Sequence, residues 1–155
     1  MPDMLVKLYD LPGSDGERRR LESEGVTCRR AEGYERTAVV AFVAQRWPRW
    51  QDEATAGFAR VPPTVFIASR GGEVVGFAAY NVTRPDYFGP TGVDEGQRKR
   101  GIGGLLLLQS LEALAAEGYA YAIIGGVGPA SFYERAVGAI TIAGSDPGIY
   151  RDRLS

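Results

Sequence analysis

Histidine is absent from the 155-residue sequence, and Cys28 is its single cysteine. Without histidine, the chain can form no Ser–His or Cys–His dyad and no histidine-ligated metal site. One cysteine allows neither a disulfide within the chain nor a cysteine metal cluster. The chemistry that remains is that of tyrosine, carboxylates, water and backbone groups, and we predict no bound metal.

A strong net charge and long apolar runs are also missing. The net charge is −1, which gives no overall attraction to nucleic acid or to an anionic membrane. The run Arg18-Arg19-Arg20 lies among acidic residues, which is typical of a solvated surface. No apolar stretch has the length of a membrane span, and the N-terminus lacks a signal pattern. We therefore expect a cytoplasmic protein that binds neither nucleic acid nor a membrane.

The patterns along the chain predict an N-terminal arm over residues 1–25, of uncertain role, and a single domain over residues 26–155. Hydrophobic periodicity and the turn residues place the elements of this domain. In chain order they are a strand at 26–31, helices at 34–47 and 49–59, strands at 64–69, 74–83 and 86–93, a helix at 103–117, a strand at 119–126, a helix at 130–137 and a strand at 139–143.

This order of elements predicts a mixed α/β fold with one mostly antiparallel sheet and helices on both of its faces. The long helix at 103–117 connects strand 86–93 to strand 119–126, which makes these two strands parallel neighbours. Gly89, Pro90 and Gly92 are unusual inside a strand and indicate a bulge or unpaired backbone groups. We therefore expect a splay between the two parallel strands.

The stretch from Val93 to Leu108 joins the end of a predicted strand to the start of the long apolar helix. Its polar turn leads into Gly101, Gly103 and Gly104, which let a ligand come close to the backbone. The first turn of a helix offers unpaired N–H groups and the positive end of the helix dipole. This combination is typical of an anion site, above all for phosphate.

Two other phosphate-binding motifs do not fit this stretch. A P-loop needs Gly-Lys-Ser/Thr after its glycines, whereas here Gly103 is followed by Gly104 and Leu105. A dinucleotide-binding fingerprint lies at the first strand–helix turn of its fold, whereas this loop follows several antiparallel strands. A plain loop–helix junction without a ligand is the remaining alternative.

Residues 98–103 fit the pattern Gln/Arg-x-x-Gly-x-Gly/Ala at a strand–helix junction. This stretch resembles the acetyl-CoA motif of the GNAT superfamily of N-acetyltransferases. Further along, residues 132–139 resemble the Tyr-Glu-Lys-x-Gly-Phe segment on the last helix of the same superfamily. Both motifs occur in the right order and spacing, and the resemblance covers residues 26 to about 150.

The resemblance implies that acetyl-CoA is the cosubstrate. Backbone N–H groups of residues 98–104 would bind the pyrophosphate, and the basic side chains there would add positive charge. The pantetheine arm would lie in the splay and pair with free backbone groups like an added strand. The implied cofactor-binding residues are Thr91, Val93, Arg98, Lys99, Arg100, Gly101, Ile102, Gly103 and Gly104.

The same resemblance implies direct attack of a primary amine, from a small molecule or a peptide, on the thioester. A bulge N–H on strand 86–93 would stabilise the oxyanion. Tyr133 would donate a proton or hydrogen bond to the leaving thiolate, and the alternative is that Tyr133 only packs on its helix. Asp52, Glu53 and Asp86 are candidates for the base, and the sequence does not choose among them. Without a base, the chain would be a CoA- or acyl-CoA-binding protein without turnover.

Aromatic and acidic residues around the helix break at Pro48 are candidates for a substrate wall. The alternative is that the tryptophans pack in the core and the carboxylates are solvated. The sequence defines neither the acceptor nor the oligomeric state, for which a homodimer is left open. The candidate wall residues are Trp47, Trp50, Asp52, Glu53, Tyr87 and the tail at 144–150.

Overall fold

The protein, described by a computed structural model over residues 1–154, has seven strands in one sheet. The strands are β1 (Met4–Lys7), β2 (Val26–Arg30), β3 (Val65–Arg70), β4 (Glu73–Tyr80), β5 (Tyr87–Val93), β6 (Tyr121–Ile124) and β7 (Ile140–Thr141). Their order across the sheet is β2-β3-β4-β5-β6-β1-β7. Neighbouring strands are antiparallel except β5 and β6, which are parallel. The predicted mixed α/β fold is confirmed.

Within residues 1–154, five α-helices surround the sheet, and four of them follow the predicted pattern with shifted ends. They are α1 (Asp15–Ser23), α2 (Arg36–Arg46), α3 (Gln51–Gly57), α4 (Ile102–Ala116) and α5 (Ala130–Val137). Short 3-10 turns precede four of them, at Leu8–Asp10 before α1, Gly33–Glu35 before α2, Pro48–Trp50 before α3 and Glu95–Gln97 before α4. Pro48 ends the α2 segment because its ring cannot continue a helix.

Alternate residues of β3 pack on opposite faces of the sheet, which is why helices cover both faces. Phe66 and Ala68 belong to the core cluster of α4, in which Leu106 and Leu111 are fully buried. Ile67 points to the other face, where it packs in a second cluster with Val39 of α2. The wide apolar arc of α4 is therefore explained by burial against the sheet.

The two parallel strands stay paired over a short distance only. Tyr87 pairs with Ile123 and Phe88 pairs with Ile124, and no further pair joins β5 to β6 within residues 1–154. Just beyond, the register between β4 and β5 shifts, so that Gly89 and Pro90 lie opposite one residue of β4. This bulge bends β5 away from β6. The predicted splay is confirmed, and it opens toward the start of α4.

The first 25 residues, predicted as an arm of uncertain role, contribute a strand to the sheet. β1 lies inside the sheet and pairs antiparallel with both β6 and β7. Met4 and Val6 are fully buried, and Leu21 of α1 is buried in the same core cluster as α4. The alternation of apolar residues in Met4–Leu8 supplies a strand that fills the position between β6 and the two-residue β7.

Candidate active site

The turn between β5 and α4 presents unpaired backbone N–H groups to one side of the sheet. Gly101 caps α4 with a φ angle of +91°, a conformation that glycine adopts without strain. The first N–H bonded within the helix is that of Leu105, which donates to the Gly101 carbonyl at 3.1 Å. The N–H groups of the three residues between them therefore have no partner in the helix. With the helix dipole, they form a site suited to an anion.

Arg20 of α1 holds this turn from behind. Its guanidinium donates to the Arg100 carbonyl at 2.6 Å and is itself held by Glu17 and Glu24 at 2.7 and 2.6 Å. A Cβ added at Gly101 would lie 2.7 Å from the Arg20 Nη2 atom, so another residue there would displace the Arg20 guanidinium in addition to straining the positive φ angle. Sequence reasoning missed this contact, because the spacing of the two glutamates around Arg20 indicates ion pairs within α1 alone.

A cavity of about 530 Å³, here called the loop cavity, lies between the splayed end of β5, the start of α4 and the side of α5. It contains eight of the nine predicted cofactor-binding residues. The exception is Arg100, whose guanidinium points toward α1 and lies 4.0 Å from the Glu24 carboxylate. The eight are Thr91, Val93, Arg98, Lys99, Gly101, Ile102, Gly103 and Gly104.

The backbone of β5 has a free edge toward this cavity. The Asp94 N–H donates to the Val75 carbonyl on the β4 side at 2.8 Å. Because backbone groups alternate along a strand, those of Thr91 and Val93 face the splay instead. The Val93 carbonyl accepts a hydrogen bond from the Arg98 Nε atom at 3.2 Å. The edge residues named from the sequence therefore face the gap between β5 and β6.

The Trp47 ring packs against β5 at Gly92. A Cβ added at Gly92 would clash with its indole ring, so the close approach of ring and backbone depends on glycine. The Trp47 ring lies 5.5 Å from that of Trp50 and 5.8 Å from that of Phe77. Trp47 and Trp50 therefore pack against the core on one face of the sheet and also line the loop cavity. Both alternatives that the sequence left open for them, core packing and a wall of the site, apply.

A second cavity of about 440 Å³, here called the tail cavity, lies on the other side of the bulge in β5. Trp50, Glu53 and Thr83 lie on one of its walls, and Tyr150 of the C-terminal tail lies on another. Five residues line both cavities, which therefore meet between β5 and α5. These five are Trp50, Phe88, Thr91, Pro129 and Tyr133.

Tyr133 is buried on α5, with 8% of its surface exposed. The Phe132 ring packs edge-on against it, with 5.0 Å between the ring centroids. Burial raises the pKa of the Tyr133 hydroxyl above its usual value of 10. The hydroxyl is therefore protonated at neutral pH and is able to donate at the point where the two cavities meet.

The three candidate bases have different positions. Asp52 is exposed, and neither Asp52 nor Asp86 lines either cavity, whereas Glu53 lines the tail cavity. Burial, together with the nearby charge of Glu117, raises the pKa of the Asp86 carboxyl to about 6. Of the other wall candidates, Trp50 and Tyr150 also line the tail cavity, Trp47 lines the loop cavity, and Tyr87 lines neither.

Two other features of the chain carry no site of their own. Cys28 is buried, and burial raises the pKa of its thiol to about 12, so a structural role fits it better than a nucleophilic one. Residues 1–154 contain no group of three or more Cys, Asp or Glu side chains arranged to hold a metal ion. In the same range, each helix is too short or too polar to cross a bilayer.

The family model of the acetyltransferase (GNAT) family matches residues 29–139. The chain therefore belongs to the GNAT acetyltransferase family. The matched segment contains β3–β6, α4, the turn before it and Tyr133, which contribute to both cavities, whereas Met1, Asp146, Pro147, Tyr150 and Arg153 of the tail cavity lie outside it. Comparison with curated proteins gives no match.

Solved structures share the fold at low sequence identity. A GCN5-related glucosamine N-acetyltransferase region of a fungal multi-domain GH3 β-N-acetylglucosaminidase matches with a TM-score of 0.75 and 18% identity, over 91% of this chain and 19% of that one. A GCN5-related N-acetyltransferase from Sphaerobacter thermophilus matches with a TM-score of 0.69 and 20% identity, over 91% and 48% of the two chains. One from Kribbella flavida matches with a TM-score of 0.60 and 21% identity, over 90% and 53%. The chain thus spans from a fifth to about half of the length of these structures.

Proposed function

We propose that the protein is an N-acetyltransferase that moves the acetyl group of acetyl-CoA to a primary amine of a small molecule or peptide. The observation that carries this proposal is the meeting of two cavities at Tyr133 and Thr91. One cavity has the anion-binding turn at its far end, and the other has a carboxylate and aromatic walls. A donor in the first and an acceptor in the second would bring their reacting ends together at these two residues.

Acetyl-CoA would lie in the loop cavity. Its pyrophosphate would accept hydrogen bonds from the free N–H groups at the start of α4, with positive charge from Arg98 and Lys99. Its pantetheine amides would pair with the Thr91 carbonyl and the Val93 N–H, which face the splay, and this leaves the Thr91 N–H free. Arg100 would act through its carbonyl, which Arg20 holds, since its guanidinium points away from the cavity.

The reaction would be direct transfer from donor to acceptor. The amine nitrogen attacks the thioester carbonyl, a C–N bond forms, and the C–S bond breaks as the tetrahedral intermediate collapses. The oxyanion needs a donor on the bulge of β5, and because Pro90 has no N–H, we assign the N–H of Thr91. Tyr133 donates its proton to the leaving thiolate, which becomes the free thiol of CoA.

The tail cavity would bind the acceptor. Its volume of about 440 Å³ is in the usual range for sites that hold small molecules. The glucosamine acetyltransferase region named above has the same fold, which makes glucosamine one reasonable acceptor to test.

The test is amine-dependent release of the CoA thiol. The protein is mixed with acetyl-CoA and, in turn, with glucosamine, lysine, spermidine, phenethylamine and a short peptide with a free α-amine. We expect thiol release above the rate of hydrolysis with at least one amine, and an acetylated product detected by mass spectrometry. Thiol release that is the same with and without every amine would contradict the proposal.

The second candidate function is binding of CoA or acyl-CoA without turnover. One observation favours it: Asp86, whose carboxyl has a raised pKa, lines neither cavity and is therefore not placed to act as the base. A thermal shift separates the candidates: ligand binding to the folded state raises the melting temperature whether or not turnover follows. A shift with acetyl-CoA but no amine-dependent thiol release would favour the binding protein, and no shift would exclude both.

A further inference from the structure

Glu53 differs from the other carboxylates near the site in its position and surroundings. It lies on α3, is half-buried and lines the tail cavity. The Thr83 hydroxyl donates a hydrogen bond to its Oε2 atom. Its Oε1 atom accepts no hydrogen bond from the residues that the structure describes. Asp146, the second carboxylate of this cavity, is more exposed, with 58% of its side chain accessible.

The walls around Glu53 suit a cation. Trp50, one helical turn earlier, lines the same cavity, and its ring is held in place 6.3 Å from Phe77 and 5.5 Å from Trp47. An indole face attracts ammonium groups. A carboxylate with a free oxygen beside a fixed indole ring therefore forms a receptor for one positively charged group.

Several other titratable groups face this carboxylate. The tail supplies Tyr150, Asp146 and Arg153, and α5 supplies Tyr133, all of which line the same cavity. Met1 also lines it, and its exposed N-terminal ammonium group is paired with the Asp146 carboxylate at 2.8 Å. Burial raises the pKa of the Tyr150 hydroxyl, and the nearby charges of Asp3 and Glu53 raise it further. Both tyrosines are neutral at physiological pH, and Arg153 and Asp146 are exposed, so Glu53 provides the half-buried charge of the cavity.

We propose that Glu53 binds the ammonium group of the acceptor and takes its proton before attack. The proposal rests on the proposed acetyltransferase function and defines its acceptor as a primary amine that enters the tail cavity as a cation. Thr83 is then a positioning residue, because its hydroxyl fixes one oxygen of Glu53 and leaves the other for the amine.

The protons of the reaction balance with this assignment. The ammonium group gives one proton to Glu53, which passes it to solvent through the open mouth of the cavity. The neutral nitrogen forms the C–N bond, and the C–S electron pair leaves with the sulfur. The nitrogen then loses its second proton to solvent. The thiolate gains a proton from Tyr133, and Tyr133 regains one from solvent. The products are the amide, the CoA thiol and one released proton.

The test compares Glu53→Gln with the wild type and with Glu112→Gln, a change of the same kind on the exposed side of α4. Glutamine keeps an oxygen for the Thr83 hydroxyl but has no charge and accepts no proton. We expect kcat/KM of Glu53→Gln to fall about 100-fold near pH 7, a typical contribution of a general base. We expect Glu112→Gln to keep the wild-type value.

The pH profile separates this role from a structural one. The Glu53→Gln defect should shrink as pH approaches the pKa of the amine, because the acceptor is then neutral without a base. The shift in melting temperature with acetyl-CoA should match that of the wild type. A Glu53→Gln protein with the same kcat/KM and pH profile as the wild type would overturn the proposal.

Binding of phenethylamine to the CoA-loaded protein gives a readout that needs no turnover. Calorimetry should show at least a tenfold weaker affinity for Glu53→Gln than for the wild type, and an intermediate one for Thr83→Val. Equal affinity of Glu53→Gln and wild type, or no binding to the wild type, would overturn the role of Glu53. Failure of every amine to release thiol from a wild type that still binds phenethylamine would instead count against the acetyltransferase function.

Discussion

The hydroxyl of Tyr133 is the group through which the site would complete its reaction. It lies at the junction of the two cavities, and burial raises its pKa, so it remains protonated over the physiological range. Its ring packs edge-on against Phe132, and its hydroxyl would serve as a donor next to a leaving sulfur. The position fits the role that the sequence resemblance implied, and the role itself stays a prediction.

Tyr133→Phe should lower kcat by about 100-fold or more, because it removes the proton donor and leaves the ring packing intact. The affinity for acetyl-CoA should stay within about twofold of the wild type. Steady-state kinetics and calorimetry measure the two quantities. An unchanged kcat would remove Tyr133 from the mechanism, and a lost affinity would assign it to cofactor binding instead.

Asp86 shows a different consequence of burial. Its folded-state pKa of about 6 lies above its ordinary value near 4, so the folded protein holds its proton more tightly than the unfolded chain does. Stability therefore falls as pH rises from about 4 to 6 and stays lower above that window. The Asp86 Oδ1 atom is buried without a hydrogen-bond partner. This agrees with a loss of stability when the carboxyl becomes charged.

Asp86→Asn should therefore raise the melting temperature at pH 8, where the wild type carries the buried charge, and change it little at pH 4.5. Asparagine also tolerates the φ angle of +67° at this position. Calorimetric melts at the two pH values make the comparison. An equal loss of stability at both pH values would show that the carboxylate is not a source of pH dependence.

The turn before α4 depends on two elements that are far apart in sequence, α4 itself and α1, which contains Arg20. The loop and the helix start were recognisable from glycine spacing and apolar periodicity, because those signals are local. The support from Arg20 was not, because a hydrogen bond across 80 residues leaves no trace in local spacing. The packing of Trp47 on Gly92 was not predictable for the same reason, because these two residues are also far apart in sequence.

Arg20→Ala should raise the dissociation constant for acetyl-CoA roughly three- to tenfold, the effect of losing one charge-assisted hydrogen bond to the turn. The control is Arg18→Ala, since Arg18 pairs only with Asp15 inside α1, at 3.2 Å. Calorimetry should show the wild-type affinity for the control. If both variants bind acetyl-CoA alike, α1 does not support the turn.

Gly103→Val tests the start of α4 itself. A Cβ at Gly103 would meet only the Val93 side chain, at an ordinary 3.8 Å, so the protein alone does not require glycine there. We expect a melting temperature near that of the wild type without ligand, and a dissociation constant for acetyl-CoA raised at least tenfold, about 1.4 kcal/mol. Wild-type affinity would contradict the close approach of the pyrophosphate.

At the scale of the whole molecule, the sequence predicted the sheet class, the parallel pair and the splay. These follow from element order and from Gly89, Pro90 and Gly92 in one strand. It did not predict that β1 would lie between β6 and β7, since strand partners are chosen by contacts more than 100 residues apart. Residues 1–25 therefore contribute in two places: β1 lies in the sheet, and Arg20 supports the turn before α4.

At the scale of the whole molecule, our central proposal is that the splay would lead a donor from the turn at α4 to Tyr133, next to an acceptor bound in the tail cavity. A crystal structure of the complex with CoA tests this most directly. The account predicts the pyrophosphate at the N–H groups of residues 102–104 and the sulfur within hydrogen-bond distance of the Tyr133 hydroxyl. A sulfur outside the junction of the two cavities, or CoA bound elsewhere on the protein, would contradict it.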